Sequence, residues 1–251
     1  MAAILADRKR MILDLLAEDS EISVSELANR FGVTAVTARA DLAALEEEGF
    51  IVRTRGGAMS AFHPKILERI HAKKEVKTAI AKASAQLIDD NDTVIITAGT
   101  TTSLIPKFLL GKRDVHIVTN NTLLLTYARA NPQLRVTLVG GEFRPSEEGV
   151  VGPLALQAIE QFHVAKAFIG IDGASSKQGF TANSVESADF VRKMADQADC
   201  VIAVADSSKF GNAGFARILP FERVQVLVTD SYLQSAFEDK LTEVDVKVIK
   251  T

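Results

Sequence analysis

Residues 23–58 read SVSELANRFGVTAVTARADLAALEEEGFIVRTRGGA, and they constrain the fold more sharply than any other stretch of the chain. The opening SVSE has the capping-box pattern. Ser23 is placed to take the amide of Glu26, and Glu26 to reach back. Leu27 and Phe31 supply the buried face of a short helix, and Gly32 breaks it at a turn position suited to positive φ. Thr34 is the natural N-cap of a second helix, because its hydroxyl can take an orphan amide. In that helix Ala38, Leu42 (or Asp41 by strict spacing) and Leu45 fall on one side; Ala35, Val36, Arg39 and Ala40 fall largely on the other. Gly49 is expected to end it. FIVRTRGGA then alternates and closes on two glycines, as a hairpin wing does. Upstream, RKRMILDLLAE from Arg8 spaces Ile12, Leu15 and Leu16 on one helical face. Helix, turn, helix and wing in this order predict a module that lays its second helix in the DNA major groove.

The outward face of that helix carries suitable chemistry. Arg39 can donate a bidentate pair to guanine, and the small apolar groups of Ala35 and Val36 can touch thymine methyls. Thr34 and Thr37 can hold phosphates, which sets register without reading sequence. Arg53 and Arg55 lie two residues apart in the wing, so they are expected to share a face and track the backbone or minor groove. Bulk charge does not announce a DNA reader. Residues 1–62 hold seven Lys+Arg against ten Asp+Glu, a net of −3, so the remainder is near neutral. The acids cluster at Asp14–Glu21 and Glu46–Glu48, away from the reading residues, and local placement has to supply the basic footprint.

The 251 residues are too many for a DNA reader alone. The apolar runs are strand-length, short of the roughly 18 residues of a membrane span, and the first residues lack the pattern of a secretory signal. Cys200 is the single cysteine, and His63, His71, His116 and His163 are scattered. These features predict a cytoplasmic protein with no disulfide framework, no metal site, no cofactor and no membrane partner.

After the first domain, expected at residues 1–59, residues 60–75 read as a linker, with a connector near 59–70 and a helix starting about Lys74. The larger domain is expected over 76–251. From Thr93 short β-rich runs alternate with amphipathic stretches: TVIITA, VHIVTN, LRVTLVG, KAFIGID, CVIAVAD, VQVLVTD and VDVKVI. Apolar runs spaced by helices predict an α/β domain with a mostly parallel sheet. Ligands of such sheets bind beyond the carboxyl ends of the strands, where this chain places polar, glycine-rich segments. Gly99, Thr100, Thr101, Thr102 and Ser103 predict a phosphate cradle of backbone amides entering a helix. Thr119, Asn120 and Asn121, Gly140 and Gly141, Asp172 and Gly173, and Asp206–Lys209 follow other strands. Taken singly, Asp172 and Asp206 suit helix caps or turns, and Lys209 an exposed loop cation.

On these residues the chain resembles the DeoR family of bacterial repressors. Its signature is matched at Leu27, Ala28, Phe31, Val33, Thr37, Arg39, Asp41, Leu42, Leu45, Gly49, Arg53, Gly56, Gly57 and Ala58, with Thr34, Ala38 and Ala40 as departures. GTTT, TNN, GG, FIGIDG, GFT…E and DSSKFG follow in the order of the family's sensor domain. The resemblance implies a sensor fold of the ribose-5-phosphate isomerase or deaminase type and a phosphorylated sugar or polyol as effector. By the same resemblance Lys77 and Glu186 join the effector site with Gly99–Thr102, Thr119–Asn121, Gly140, Gly141, Asp172, Gly173 and Lys209. Thr97 stands where the family has an aspartate, and Ser175 replaces the isomerase's second acid, which argues for binding without turnover. The reading that follows is a sequence-specific transcriptional regulator, a repressor of a carbohydrate or polyol operon relieved by a sugar phosphate. It is expected to act as a homodimer or larger homo-oligomer on paired operator half-sites. The competing readings are a sugar-phosphate isomerase or deaminase with an accessory helical domain, and a scaffold whose first domain binds protein.

Overall fold

The computed structural model describes residues 8–9, 11–16, 21–47 and 50–251. Gly49, expected to end the second helix of the motif, lies outside them. The chain divides into two compact units, one running to Ala72 together with Pro145–Glu147, the other made of Lys73–Arg144 and Glu148–Thr251.

The first unit begins with helix α1 (11–16), whose Ile12, Leu13 and Leu16 are buried. Leu13 thus joins Ile12 and Leu16 in the core, while Leu15 packs at its margin. Strand β1 (Glu21–Ser23) was not expected from sequence. Helices α2 (Val24–Phe31) and α3 (Ala35–Glu47) follow, then strands β2 (Ile51–Thr54) and β3 (Gly57–Ser60). The three strands form an antiparallel sheet in the order β1-β3-β2. Leu27, Ala38, Leu42 and Leu45 from the helices and Ile22, Ile51 and Ala58 from the sheet close one core. Ser23 accepts the Glu26 amide at 3.1 Å as the cap of α2. The return half of the capping box is replaced: the Glu26 carboxylate takes Arg30 Nη2 at 2.8 Å, one helical turn on. Gly32 adopts φ 61° and ends α2 with its amide on helix carbonyls. Helix α4 (Pro64–His71) occupies most of the span expected as a connector near 59–70. It starts with Pro64 in its first turn, and the His63 ring caps the Lys65 amide at 3.2 Å.

The second unit opens with helix α5 (Lys74–Ala85), strand β4 (Thr93–Ile96), strand β5 (His116–Thr119), helix α6 (Leu124–Ala128) and strand β6 (Arg135–Leu138). Strands β7 (Glu142–Arg144) and β8 (Gly149–Val151) form a hairpin, followed by helix α7 (Pro153–Ile159) and strand β9 (Val164–Gly170). Next come strands β10 (Gly173–Ser175) and β11 (Gly179–Ala182), helix α8 (Val185–Asp196), and strands β12 (Ala198–Val204), β13 (Ala216–Leu219) and β14 (Val226–Thr229). Helix α9 (Ser235–Glu243) and strand β15 (Lys247–Lys250) complete the unit. The seven apolar runs of the sequence are the seven strands of one parallel sheet, ordered β15-β14-β12-β9-β4-β5-β6. Because successive side chains point to opposite faces, each inner strand feeds two cores. Val94, Ile96, Phe168, Ile202 and Val204 pack with Ile80 and Ala81 of α5. Ile95, Ala167, Ile169, Val201 and Ala203 pack with Ala155 of α7 and Ala188 and Met194 of α8. The inner strands therefore have to be covered on both faces, which is why β4, β9 and β12 carry the apolar stretches VII, AFI and VIAV, while the edge strands β6 and β15 keep exposed polar residues. Strands β10, β11 and β13 make a separate antiparallel sheet.

Candidate DNA-reading surface and effector site

In the first unit the residues expected to meet DNA stand on the outside of α3 and in the wing. Ala35, Val36, Arg39 and Ala40 are exposed, Val36 to 73%. Val36 is flanked on this face by Arg39 and Thr37. The Thr34 hydroxyl accepts the Thr37 amide at 3.2 Å and lies 3.0 Å from the Thr37 hydroxyl, so the cap and the second threonine share one polar corner. Asp41 is internal: it is 3% exposed and grips the Arg8 guanidinium at 2.5 and 2.9 Å. Its place in the signature is thus structural, tying α3 to the start of the chain, and it holds the Arg8 cation above its ordinary pKa by that hydrogen bond.

The wing departs from the expected geometry in one respect. Arg53 is on β2, opposite Ala58, but Arg55 sits with Gly56 in the two-residue turn between the strands. Arg53 and Arg55 therefore do not share a strand face; Arg55 is exposed at the tip and Arg53 is half-buried. The two glycines of the signature have different physical causes. Gly56 takes φ 104°, which favours glycine alone. Gly57 faces β1 so closely that a Cβ there would lie 2.0 Å from the Ile22 carbonyl oxygen.

In the second unit the strand order reverses between β4 and β9. The chain runs outward through β5 and β6, returns to the other side of β4, and runs outward again through β12, β14 and β15. The connections that leave the carboxyl ends of β4 and β9 lead to opposite sides of the sheet order, the position at which open α/β sheets bind ligands. The loop Thr97–Thr101 leaves β4 at this point. Among the described residues, no hydrogen bond takes up the backbone amides of Gly99, Thr100 or Thr101, so three consecutive donors are available at the switch point. The element after them is a 3-10 helix, Thr102–Phe108, interrupted by Pro106. The expected α-helix N-terminus is therefore a correction: the donors belong to the loop, and the short 3-10 turn adds little dipole.

Thr119, Asn120 and Asn121, expected to touch the effector, are buried and build this loop. Asn120 Oδ1 accepts the Ala98 amide at 2.8 Å while its Nδ2 donates to the Val150 carbonyl at 2.9 Å. Asn121 Nδ2 donates to the Thr97 and Gly99 carbonyls, both at 3.2 Å, and its Oδ1 accepts the Leu124 amide. The Thr119 hydroxyl donates to the Ile96 carbonyl at 2.5 Å. Thr102 is fully buried and donates to the Thr97 and Gly99 carbonyls. Thr97, 0% exposed, accepts the Gly170 amide at 2.8 Å and so bridges β4 to β9. At this position the threonine hydroxyl closes the sheet where the resemblance would place a sugar-facing carboxylate.

The remaining expected residues follow other strands or lie on α5 and α8. Asp172 and Gly173 follow β9; Asp172 Oδ2 accepts the Asn183 amide at 3.0 Å, and a Cβ on Gly173 would lie 2.3 Å from the Asn212 carbonyl oxygen. Gly140 and Gly141 follow β6 and are exposed. Glu186, in the first turn of α8, is half-exposed and lies 3.7 Å from Arg144, which also pairs with Glu142 at 3.3 Å. Lys77 is buried on α5 at 6% exposure. Lys209 is half-buried, with no ion pair among the described residues. Among those residues no hydrogen bond or ion pair joins Glu186 or Lys209 to Gly99–Thr102. Lys73 did not enter the sequence reading of the site, and Asp206 entered it only as a cap or turn residue at a strand end. Asp206, 3% exposed, caps the 3-10 turn Ser207–Lys209 and takes Lys73 Nζ at 2.8 Å. Burial works to raise its carboxyl, but hydrogen bonds from Lys73 and Ser208 outweigh that and hold it below the usual carboxylate range. Arg144 is a half-exposed cation beside Glu186.

An exposed recognition helix with a basic wing, joined in one chain to a parallel sheet whose switch point offers free donors, defines a ligand-responsive DNA-binding regulator. Residues 8–62 match the DeoR-like helix-turn-helix domain and residues 72–231 the DeoR C terminal sensor domain. The chain belongs to the DeoR family of DNA-binding transcription regulators, and it is a regulator and not a sugar-phosphate isomerase or deaminase. It is 33% identical to the HTH-type transcriptional repressor GlcR of Bacillus subtilis (strain 168), over 98% of this chain and 96% of that protein. It is 29% identical to the HTH-type transcriptional repressor CsqR of Escherichia coli (strain K12), over 96% of this chain and 94% of that protein. Ribose 5-phosphate isomerase A of Methanocaldococcus jannaschii aligns over 55% of each chain at 14% identity and a TM-score of 0.41, a likeness from which no ligand follows. No helix among the described residues is long and apolar enough to cross a membrane.

Proposed function

We propose that this regulator represses a carbohydrate or polyol catabolic operon and releases its operator on binding a phosphorylated sugar. The observation that carries the reading is the run of three unpaired amides at Gly99, Thr100 and Thr101, held at the sheet's switch point by Asn120, Asn121 and Thr102. Consecutive backbone donors suit a phosphate, and Lys209, in the turn after β12 and with no ion pair among the described residues, supplies a cation. Asp172, Glu186, Gly140, Gly141 and Gly173 frame the sugar, and Lys77 supports the same end of the sheet. The DNA contacts are Arg39, Ala35 and Val36 to bases and Thr34, Thr37, Arg53 and Arg55 to the backbone. The working division is a reader over residues 1–59, a joining segment over 60–75 and a sensor over 76–251. A two-fold assembly on paired half-sites fits a reader of this type.

Release requires the sugar phosphate to favour a conformation with lower DNA affinity. A thermal-shift screen of phosphorylated sugars against the full chain tests the ligand class. A stabilised transition with a sugar phosphate, absent with the same sugar unphosphorylated, is the expected result. A stronger response to the unphosphorylated sugars overturns the reading. Lys209→Ala and Thr101→Ala are expected to keep DNA binding and lose release.

A further inference from the structure

We propose that the Lys73–Asp206 ion pair is a latch that ties the effector loop to the point where the chain enters the sensor unit, and that it sets DNA affinity. The chain passes from the first unit to the second at Ala72–Lys73. Lys73 holds φ 53° and ψ 38°, a left-handed conformation that a lysine adopts only where its surroundings fix it. It has no side-chain cap on α5; its carbonyl accepts the Lys77 amide at 3.0 Å and starts the helix. Its Nζ reaches 133 positions along the chain to Asp206 Oδ1 at 2.8 Å.

Asp206 is the structural centre of the loop that carries Lys209. Its Oδ1 also takes the Ser208 amide at 3.1 Å and the Ser208 hydroxyl, and its carbonyl accepts the Lys209 amide at 3.1 Å. One carboxylate oxygen therefore holds both the turn Ser207–Lys209 and the first residue of the sensor unit. The carboxylate is buried while the Lys73 side chain is 45% exposed, so the cation can leave without unfolding the sheet and the anion cannot move without its turn. Re-seating Lys209 strains the turn that Asp206 holds, and with it the contact that fixes the Lys73 side chain. Lys73 acts here as a positioning residue. The inference rests on the proposed function only for what moves Lys209; the latch itself is testable with no ligand present.

The test is a double-mutant cycle on the full-length protein, without any sugar, using a DNA duplex that the wild-type protein selects from a random pool. Lys73→Met and Asp206→Asn are each expected to change affinity for that duplex by about fivefold or more, in the same direction. The double variant is expected to change it no more than the larger single, because both break one interaction. Lys73→Arg is expected to restore affinity close to wild type. Single variants within twofold of wild type, or effects that multiply, overturn the proposal. If Asp206→Asn does not fold, Lys73→Met decides alone: amide exchange at Ser207–Lys209 must accelerate while that of β12 stays unchanged, and unchanged exchange at the turn overturns it. A sugar screen that fails while the cycle succeeds refutes the effector reading and leaves the latch standing.

Discussion

The two units of this protein place their functional groups in opposite environments. In the reader, Ala35, Val36 and Arg39 project from α3 into solvent, and the core behind them is apolar apart from the Asp41–Arg8 tether. In the sensor, Thr97, Thr102, Thr119 and Asn121 are wholly buried and donate or accept within the protein. The difference follows from the partners. A duplex is met by a convex surface, so the reading side chains can be changed without touching the fold. A small anion needs donors fixed in place before it arrives, and fixing three loop amides takes a buried polar scaffold. Substitution of the reading side chains should therefore separate recognition from stability, and substitution in the sensor's buried scaffold of Thr97, Thr102, Thr119 and Asn121 should not.

The largest effect tests the exception inside the reader. Gly57→Ala places a methyl against the Ile22 carbonyl oxygen and should destabilise the first unit by about 3 kcal/mol, at the top of the overpacking range. Calorimetry should show the reader melting early with DNA binding lost and the sensor transition unchanged. Next, Asn121→Ala leaves the Leu124 amide without its partner and removes one of the donors to the Thr97 and Gly99 carbonyls, which keep Thr102, and should cost the sensor about 2 kcal/mol. An unchanged sensor melting temperature would mean the scaffold is dispensable. Arg39→Ala should weaken binding by about 1–3 kcal/mol at one base pair and leave both transitions in place. Equal loss on selected and random DNA would reassign Arg39 to a phosphate.

The smallest effect is a pH dependence confined to the sensor. Burial pushes the Glu148 carboxyl up, against a hydrogen bond from the Thr122 hydroxyl at 2.6 Å. A group whose folded pKa is raised stabilises the fold in its protonated state, and that contribution is lost as pH rises through the folded pKa. Glu148→Gln should therefore gain stability relative to wild type as pH rises from about 4 to neutrality. Asp206 runs the other way: its depressed pKa gives stability that is present above the unfolded value and lost as pH falls through the folded one. A Glu148→Gln difference that is flat with pH would show that the raised carboxyl has no thermodynamic weight.

The reader was more legible in the sequence than the sensor's site, for a physical reason. Ser23, Gly32 and Thr34 act on amides within a few residues, so their types and spacing carry their roles. The inner strands were equally plain, because burial on both faces demands a near-continuous apolar stretch. Local competition hid some details. Glu26 met Arg30 one turn on instead of returning to Ser23, and Pro106 turned an expected α-helix into a 3-10 turn. His63 and Pro64 did signal a helix start within the expected connector. The sensor's long-range bonds left no such trace. An asparagine that scaffolds a loop has the same letter as one that meets a ligand, and Lys73 and Asp206 share no local pattern.

The central claim is that DNA reading and sugar-phosphate sensing are divided between the units and coupled. Its most direct test is the anisotropy of the selected duplex bound to the full-length protein, titrated with the sugar phosphate that gives the largest thermal shift, for wild type and Lys209→Ala. The account predicts equal DNA affinity for both proteins and release from wild type alone. Equal release from both would contradict it.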